Sequence, residues 1–239
     1  MLLVVIIVGA APSLFLLLFF YLKDRYEPEP RGHVALAFGK GALSLVPAYF
    51  AGLYLERAVG TDWLLLGGTW AHVFEAGVIA AGVEELCKWI IFLAFIYRWS
   101  EFDEPLDGVV YGVAMALGFA TIENVLYVQR DGLSRGVLRA VFAVPAHALF
   151  GAAMGFYFGR AKLGGGQAAG ADVTLASRRR RLALSLLVPA AFHAAYDYCL
   201  ITLRGAWLYL VVSVGSLLLW VFVLRRVHHL QRDSPFRAS

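Results

Sequence analysis

The chain has 239 residues, 60% of them hydrophobic and only 16% charged, with a mean hydropathy of +0.70. A surface that must face water carries nearer a quarter charged residues, so a soluble globular body is excluded. The net charge of +4 comes with no aromatic–basic interleaving and no nucleic-acid motif. It is read as basic loops held at the cytoplasmic face of a membrane, and no nucleic-acid partner is expected.

A bilayer core about 30 Å thick takes roughly 20 apolar residues of helix. The apolar blocks lack the ten-residue alternation of a barrel, which predicts an all-α, polytopic transmembrane helix bundle in a lipid bilayer. Spans are expected near Leu2–Leu22, Val34–Leu55, Trp70–Tyr97, Leu106–Val128, Leu138–Gly159, Leu182–Leu203 and Ala206–Leu224. The first is read as a retained span, because hydrophobicity runs past Ala10-Ala11-Pro12-Ser13 to Tyr21. The third is long, and a break at Gly77 or Gly82 would give an eighth, short helix. Residues 1–239 read as a single membrane domain. Within it, 160–181 is a Gly-rich and basic cytoplasmic loop, with Gly164-Gly165-Gly166 followed by Arg178-Arg179-Arg180-Arg181. Cys87 and Cys199 sit inside apolar blocks, so neither a disulfide framework nor a thiolate metal site is expected.

Orientation follows the basic residues. With the amino terminus outside, the inner segments hold Lys23, Arg25, Arg31, Arg98, the group from Arg160 to Arg181, and Arg225, Arg226, Arg232 and Arg237. The outer segments hold only Arg57, Arg130, Arg135, Arg139 and Arg204. This predicts an outer amino terminus and a cytoplasmic carboxyl terminus.

A charged group at mid-membrane costs at least about 2.5–3.5 kcal/mol on insertion scales. The expected spans nonetheless contain Lys40, His72, Glu75, Glu84, Glu85, Lys88, Glu123, His147, His193 and Asp197. Glu84-Glu85-Leu86-Cys87-Lys88 is the densest group, and helical spacing puts Lys88 on the same face as both glutamates. Lys88 can neutralise one carboxylate and leave the other as a base, or the group can be a structural ion pair. Phe119-Ala120-Thr121-Ile122-Glu123-Asn124 places a carboxylate and an amide late in the fourth span. His147 opens a stripe with Gly151, Gly155 and Gly159, whose spacing lets another helix approach closely. His193 and Asp197 are four apart, so the carboxylate can orient the imidazole.

Two carboxylate positions and two imidazoles suit water activation, in either of two chemical versions. In the first, Glu123, His147 and His193 bind zinc with water at a fourth position, and Glu84 takes the water's proton. In the second there is no metal: Glu84 or Glu85 is the base and His193 stabilises the oxyanion. Glu84, Glu85, Lys88 and Asp197 are the expected catalytic group. No serine sits in a nucleophile elbow, and the zincin pair of histidines around a glutamate is absent.

The four motifs, taken in order, resemble those of the PrsW family of intramembrane proteases. The matching positions are Glu84, Glu85 and Lys88; Phe119, Glu123 and Asn124; His147 with Gly151; and His193 with Asp197. The loop Asp24-Arg25-Tyr26-Glu27-Pro28-Glu29-Pro30 is also similar to the one such proteins carry after their first span, so the resemblance covers residues from about 23 to 200. It implies site-1 cleavage of a single-span membrane protein, commonly an anti-sigma factor, at a bacterial plasma membrane. The wider relatives, the type II CAAX prenyl endopeptidases, share a paired-glutamate helix but have a histidine where this chain has Glu123. A CAAX-like processing enzyme is therefore an alternative. A transporter coupled to ions or protons is another, although no internal repeat is seen.

Overall fold

The computed structural model describes residues 2–60, 67–164 and 174–238, and every regular element among them is helical. The helices are α1 (Leu2–Tyr21), α2 (Arg31–Val59), α3 (Gly68–Phe74), α4 (Val83–Ala94), α5 (Pro105–Asp131), α6 (Leu133–Val141), α7 (Ala143–Leu163), α8 (Leu175–Thr202) and α9 (Gly205–Arg232). Six stretches are long and apolar enough to cross a membrane; one of them, Leu133–Leu163, runs through α6 and α7. The chain is a multi-pass membrane protein.

The expected third span is where the backbone departs from a plain helix. Between α3 and α4, Glu75–Gly82 is π-helical, and the dihedral angles at Glu75 and Val83 stay right-handed helical, so the chain continues in one course. The break expected at Gly77 or Gly82 is therefore a widened turn. The two glycines make it feasible, because a Cβ at Gly82 would lie 2.7 Å from the Gly77 carbonyl oxygen. π turns are uncommon and gather at functional sites. This one delivers the chain directly to Glu84 and Glu85.

The expected fifth span also differs. Its helix begins earlier, as the strongly amphipathic α6, and turns at Phe142 before α7. Amphipathic α6 suits a bilayer interface better than its core. The expected loop over 160–181 is helical at both ends: residues 160–163 complete α7, and Arg178–Arg181 lie in the first turns of α8. Thr174 caps that helix by accepting a hydrogen bond from the Ser177 backbone N–H (3.3 Å). Gly165 and Gly166, with the residues up to 173, lie outside the described residues.

α5 is the central helix, buried along nearly its whole length, whereas α1, α8 and α9 expose large apolar side chains on their outer faces. Exposed Leu, Val and Phe in such numbers suit lipid rather than water. α5 packs most closely on α7 through facing glycines. A Cβ at Gly155 would collide with the Gly108 carbonyl oxygen, and one at Gly151 with that of Gly112. The stripe that begins at His147 thus brings α5 against α7 as the spacing predicts. α2 approaches the opposite side of α5 in the same way, at Gly41 and Gly118. Without a hydrophobic driving force between helices in lipid, close backbone approach of this kind supplies the packing energy.

Candidate active site

The ionisable residues of α4, α5, α7 and α8 meet at the end of the bundle where α5 and α8 finish and α7 begins. Lys88 is fully buried and donates to Glu85 Oε1 at 2.7 Å; its Nζ lies 3.5 Å from Glu84 Oε2 and 3.9 Å from the Phe119 ring centre. The same Glu85 Oε1 lies 3.0 Å from His193 Nδ1. An ionised Glu85 accepts there, so His193 carries a proton on Nδ1, and its Nε2 faces the cavity. That nitrogen lies 3.4 Å from Asp197 Oδ2 and 4.0 Å from Glu84 Oε2. His147 is held at both nitrogens. Its Nε2 lies 3.0 Å from Glu123 Oε2, and its Nδ1 is 3.4 Å from Lys88 Nζ.

These contacts divide the two adjacent glutamates. Glu85 is 1% exposed and committed to Lys88 and His193, so it is the neutralised partner. Glu84 is 23% exposed at its side chain, and its buried Oε2 closes no hydrogen bond. Glu85 Oε2 also closes no hydrogen bond, so what singles out Glu84 is its partial exposure and its place in the cavity lining. It lines a cavity of about 340 Å³ together with Glu123, His147, His193, Tyr196 and Asp197. Glu75, from the π-helical turn, also lines the cavity. Lys40 does not join it; its Nζ lies over the Phe95 ring, 4.2 Å from the centre.

One donor atom from each of Glu84, His147 and His193 can be chosen so that all lie within 4.8 Å of one another, so Glu84 joins the two histidines as a candidate ligand beside the expected Glu123, whose Oε2 is 3.0 Å from His147 Nε2. Glu123 is drawn aside by Arg139, whose Nη2 is 2.7 Å from Glu123 Oε1, while its other oxygen faces His147. Arg139, assigned from sequence to an outer loop, is a site residue; it is only 14% exposed and sits 3.9 Å from the Tyr127 ring centre. The one available signal was its place at the edge of an expected span. Asp197 is likewise less than the main support of His193. Glu85 makes the closer contact, from the opposite ring nitrogen.

The sequence profile of "PrsW family intramembrane metalloprotease" matches residues 29–225. The chain belongs to the PrsW family. Among curated relatives, "Protease PrsW" of Geobacillus kaustophilus is 38% identical over 92% of this chain and 88% of its own length. "Protease PrsW" of Bacillus subtilis is 38% identical over 93% of each chain, and that of Clostridioides difficile is 31% identical over 89% of this chain and 85% of its own. No solved structure matches. Like those PrsW relatives the chain is a membrane peptidase, a multi-pass protein of a bacterial cell membrane.

A metal implied by the family description can be tested against the donors present. Two imidazoles and one carboxylate, buried and converging, are a donor set of the catalytic zinc type. Glu84 Oε2 is buried without a hydrogen bond, 3.5 Å from Lys88 Nζ and 4.0 Å from His193 Nε2. The residues fit.

Proposed function

We propose that this PrsW-family chain is an intramembrane endopeptidase that makes the first cut in a single-span membrane protein, a substrate of the anti-sigma-factor kind. One observation carries the reading. Glu84 lines a cavity shared with two histidines and is partly exposed there, while its neighbour Glu85 is fully buried against Lys88 and His193. A buried carboxylate left available in this way suits proton transfer from water.

Glu84, His147 and His193 would hold a zinc ion, which when bound lowers the pKa of its water to about 7 and polarises a carbonyl. Glu84, with two oxygens, keeps one to take the water's proton and passes it to the leaving amine. Glu85 fixes a proton of His193 on Nδ1, so that Nε2 faces the cavity. Lys88 balances the two carboxylates, and Arg139 with His147 holds Glu123. Asp197, beside His193 Nε2, stabilises that ring whenever it carries positive charge. The aromatic and apolar side chains of Phe142, Phe150 and Leu208 line the same cavity, limit water and suit an apolar peptide segment.

A metal-free version of the chemistry draws support from a specific contact. Lys88 Nζ lies against His147 Nδ1, so a fixed positive charge already occupies part of the space a cation would use. Purified protein in proteoliposomes with a tagged single-span substrate separates the versions. On the zinc reading, prolonged chelation silences cleavage, added zinc restores it, and metal analysis finds about one zinc per chain. A chelated, metal-free protein that cleaves at full rate refutes zinc, and no cleavage of any single-span substrate refutes the peptidase reading of this site.

A further inference from the structure

A second group of acids lies at the opposite end of α5. Asp107 is sixteen positions before Glu123, about 24 Å along the helix. Around it gather Asp24 and Glu29, from the loop between α1 and α2, and Glu104, which caps α5. Each of the four residues is at most 3% exposed. Among the described residues none of the four forms an ion pair; Lys162, the nearby cation, donates a hydrogen bond to the Trp99 carbonyl (2.7 Å).

The protein holds one oxygen of three of these carboxylates and leaves the other open. Asp107 Oδ2 accepts from the backbone N–H groups of Asp103 (2.9 Å) and Glu104 (2.7 Å). Glu29 Oε2 accepts from the Tyr111 hydroxyl, and Glu104 Oε2 accepts from Ser234 (2.6 Å). The second oxygens, Asp107 Oδ1, Glu29 Oε1 and Glu104 Oε1, are buried with no hydrogen-bond partner. Asp24 is 3% exposed; its carboxylate faces the backbone N–H groups of Glu27 and Glu29, and no side chain bonds to it. Glu29 and Asp107 approach closely enough to share a proton. Ionised together, the buried carboxylates cost several kcal/mol, and a bound cation would offset that cost where protonation otherwise does.

We propose that Asp24, Glu29 and Asp107, with Glu104 beside them, form a second metal site that takes a hard divalent cation of the Ca²⁺ type and fastens the α1–α2 loop to the start of α5. Every donor is oxygen, which selects hard cations over zinc. One oxygen each from Asp24, Glu29 and Asp107 can be chosen so that all three lie within 4.8 Å of one another. Two ligands facing each other across Ca²⁺, each at about 2.4 Å, are separated by about that distance. The hydrogen bonds from Tyr111 and from the backbone orient the carboxylates, as outer partners do in built metal sites. The site is independent of the peptidase chemistry, and its function is to lock the bundle at the end away from the cavity.

The test uses full-length protein in detergent, stripped with chelator. Ca²⁺, Mg²⁺ or Mn²⁺ is titrated while thermal unfolding is followed, and Tb³⁺ is titrated with excitation of tryptophan. Trp99 packs on Tyr111, with ring centres 5.1 Å apart, which places a sensitiser beside the site. The expected result is a saturable rise in Tm with Ca²⁺ and a Tb³⁺ emission that Ca²⁺ displaces. Asp24→Asn, and separately Glu29→Gln, should weaken both by about tenfold or more, while Glu84→Gln leaves both unchanged. No Tm shift with any of the three cations and no sensitised emission from the wild type would overturn the site, whether or not the variants fold. Wild-type affinity in a folded Asp24→Asn protein would overturn it as well. Either failure would leave the peptidase reading intact.

Discussion

At the residue scale, Lys88 is the keystone of the site. It is buried against Glu85, Glu84, His147 and the Phe119 ring, so four elements of the chemistry depend on one ammonium group. Removing one member of a buried pair strands the other, typically at a cost of about 3–5 kcal/mol. Lys88→Met should therefore destabilise the protein by about that amount in an unfolding titration, and Lys88→Met with Glu85→Gln should recover most of it. A single variant as stable as the wild type would show that Glu85 is not ionised. The sequence makes the members of this site legible, because ionisable residues inside apolar spans are expensive and so stand out. Their pairing is not legible. Glu85 and His193 are 108 positions apart, and helical spacing says which face each occupies but not which faces meet. That is why the pairing of Glu85 with His193 and of Arg139 with Glu123 could not be foreseen, and why Arg139 was counted with the loops.

At the scale of elements, two local devices position these residues. The π-helical turn of Glu75–Gly82 leads straight into Glu84 and Glu85, and the glycine contact between α5 and α7 sets the distance from Glu123 to His147. The stripe of glycines was visible as a four-residue period, and its partner helix followed from packing. The π turn was visible only as a weakness at Gly77 and Gly82, since an extra residue in a turn leaves no periodic mark over so short a stretch. Gly155→Ala places a Cβ against the Gly108 backbone, which cannot move as a side chain could. Overpacking of this kind costs about 1–3 kcal/mol, and the shift of α7 should lower cleavage as well. Gly52→Ala, where a Cβ meets nothing within 4 Å, is the control. Equal stability and activity in the two variants would mean that helix separation is not what holds the site.

For the molecule as a whole, α5 carries both ends of the account. The peptidase cavity lies toward its last turns, and the acidic cluster surrounds its first. The helix ends that bear Arg160, Arg178–Arg181 and Arg226 share the side of the acidic cluster, so the positive-inside rule predicts a cavity toward the outer face. In a protein whose Cys87 and Cys199 are replaced by serine, Ser134→Cys should react with an impermeant thiol reagent on intact cells. Arg237→Cys should react only after lysis. The reverse pattern would place the cavity toward the cytoplasm. Six of the seven expected spans were legible because each is a long apolar block; the third, interrupted by the π-helical stretch, is not among the six. The acidic cluster was not legible, because its members read as an ordinary polar loop and a helix cap until the fold brings Glu29 to Tyr111.

The most direct test of the account is the initial rate at which purified protein cuts a single-span substrate, compared between wild type and Glu84→Gln. The amide fills the same space but cannot accept water's proton. A loss of about 10²–10⁴-fold in turnover is expected, with unfolding and membrane insertion unchanged. Turnover by Glu84→Gln within a few-fold of the wild type would contradict the central claim that Glu84 activates the water.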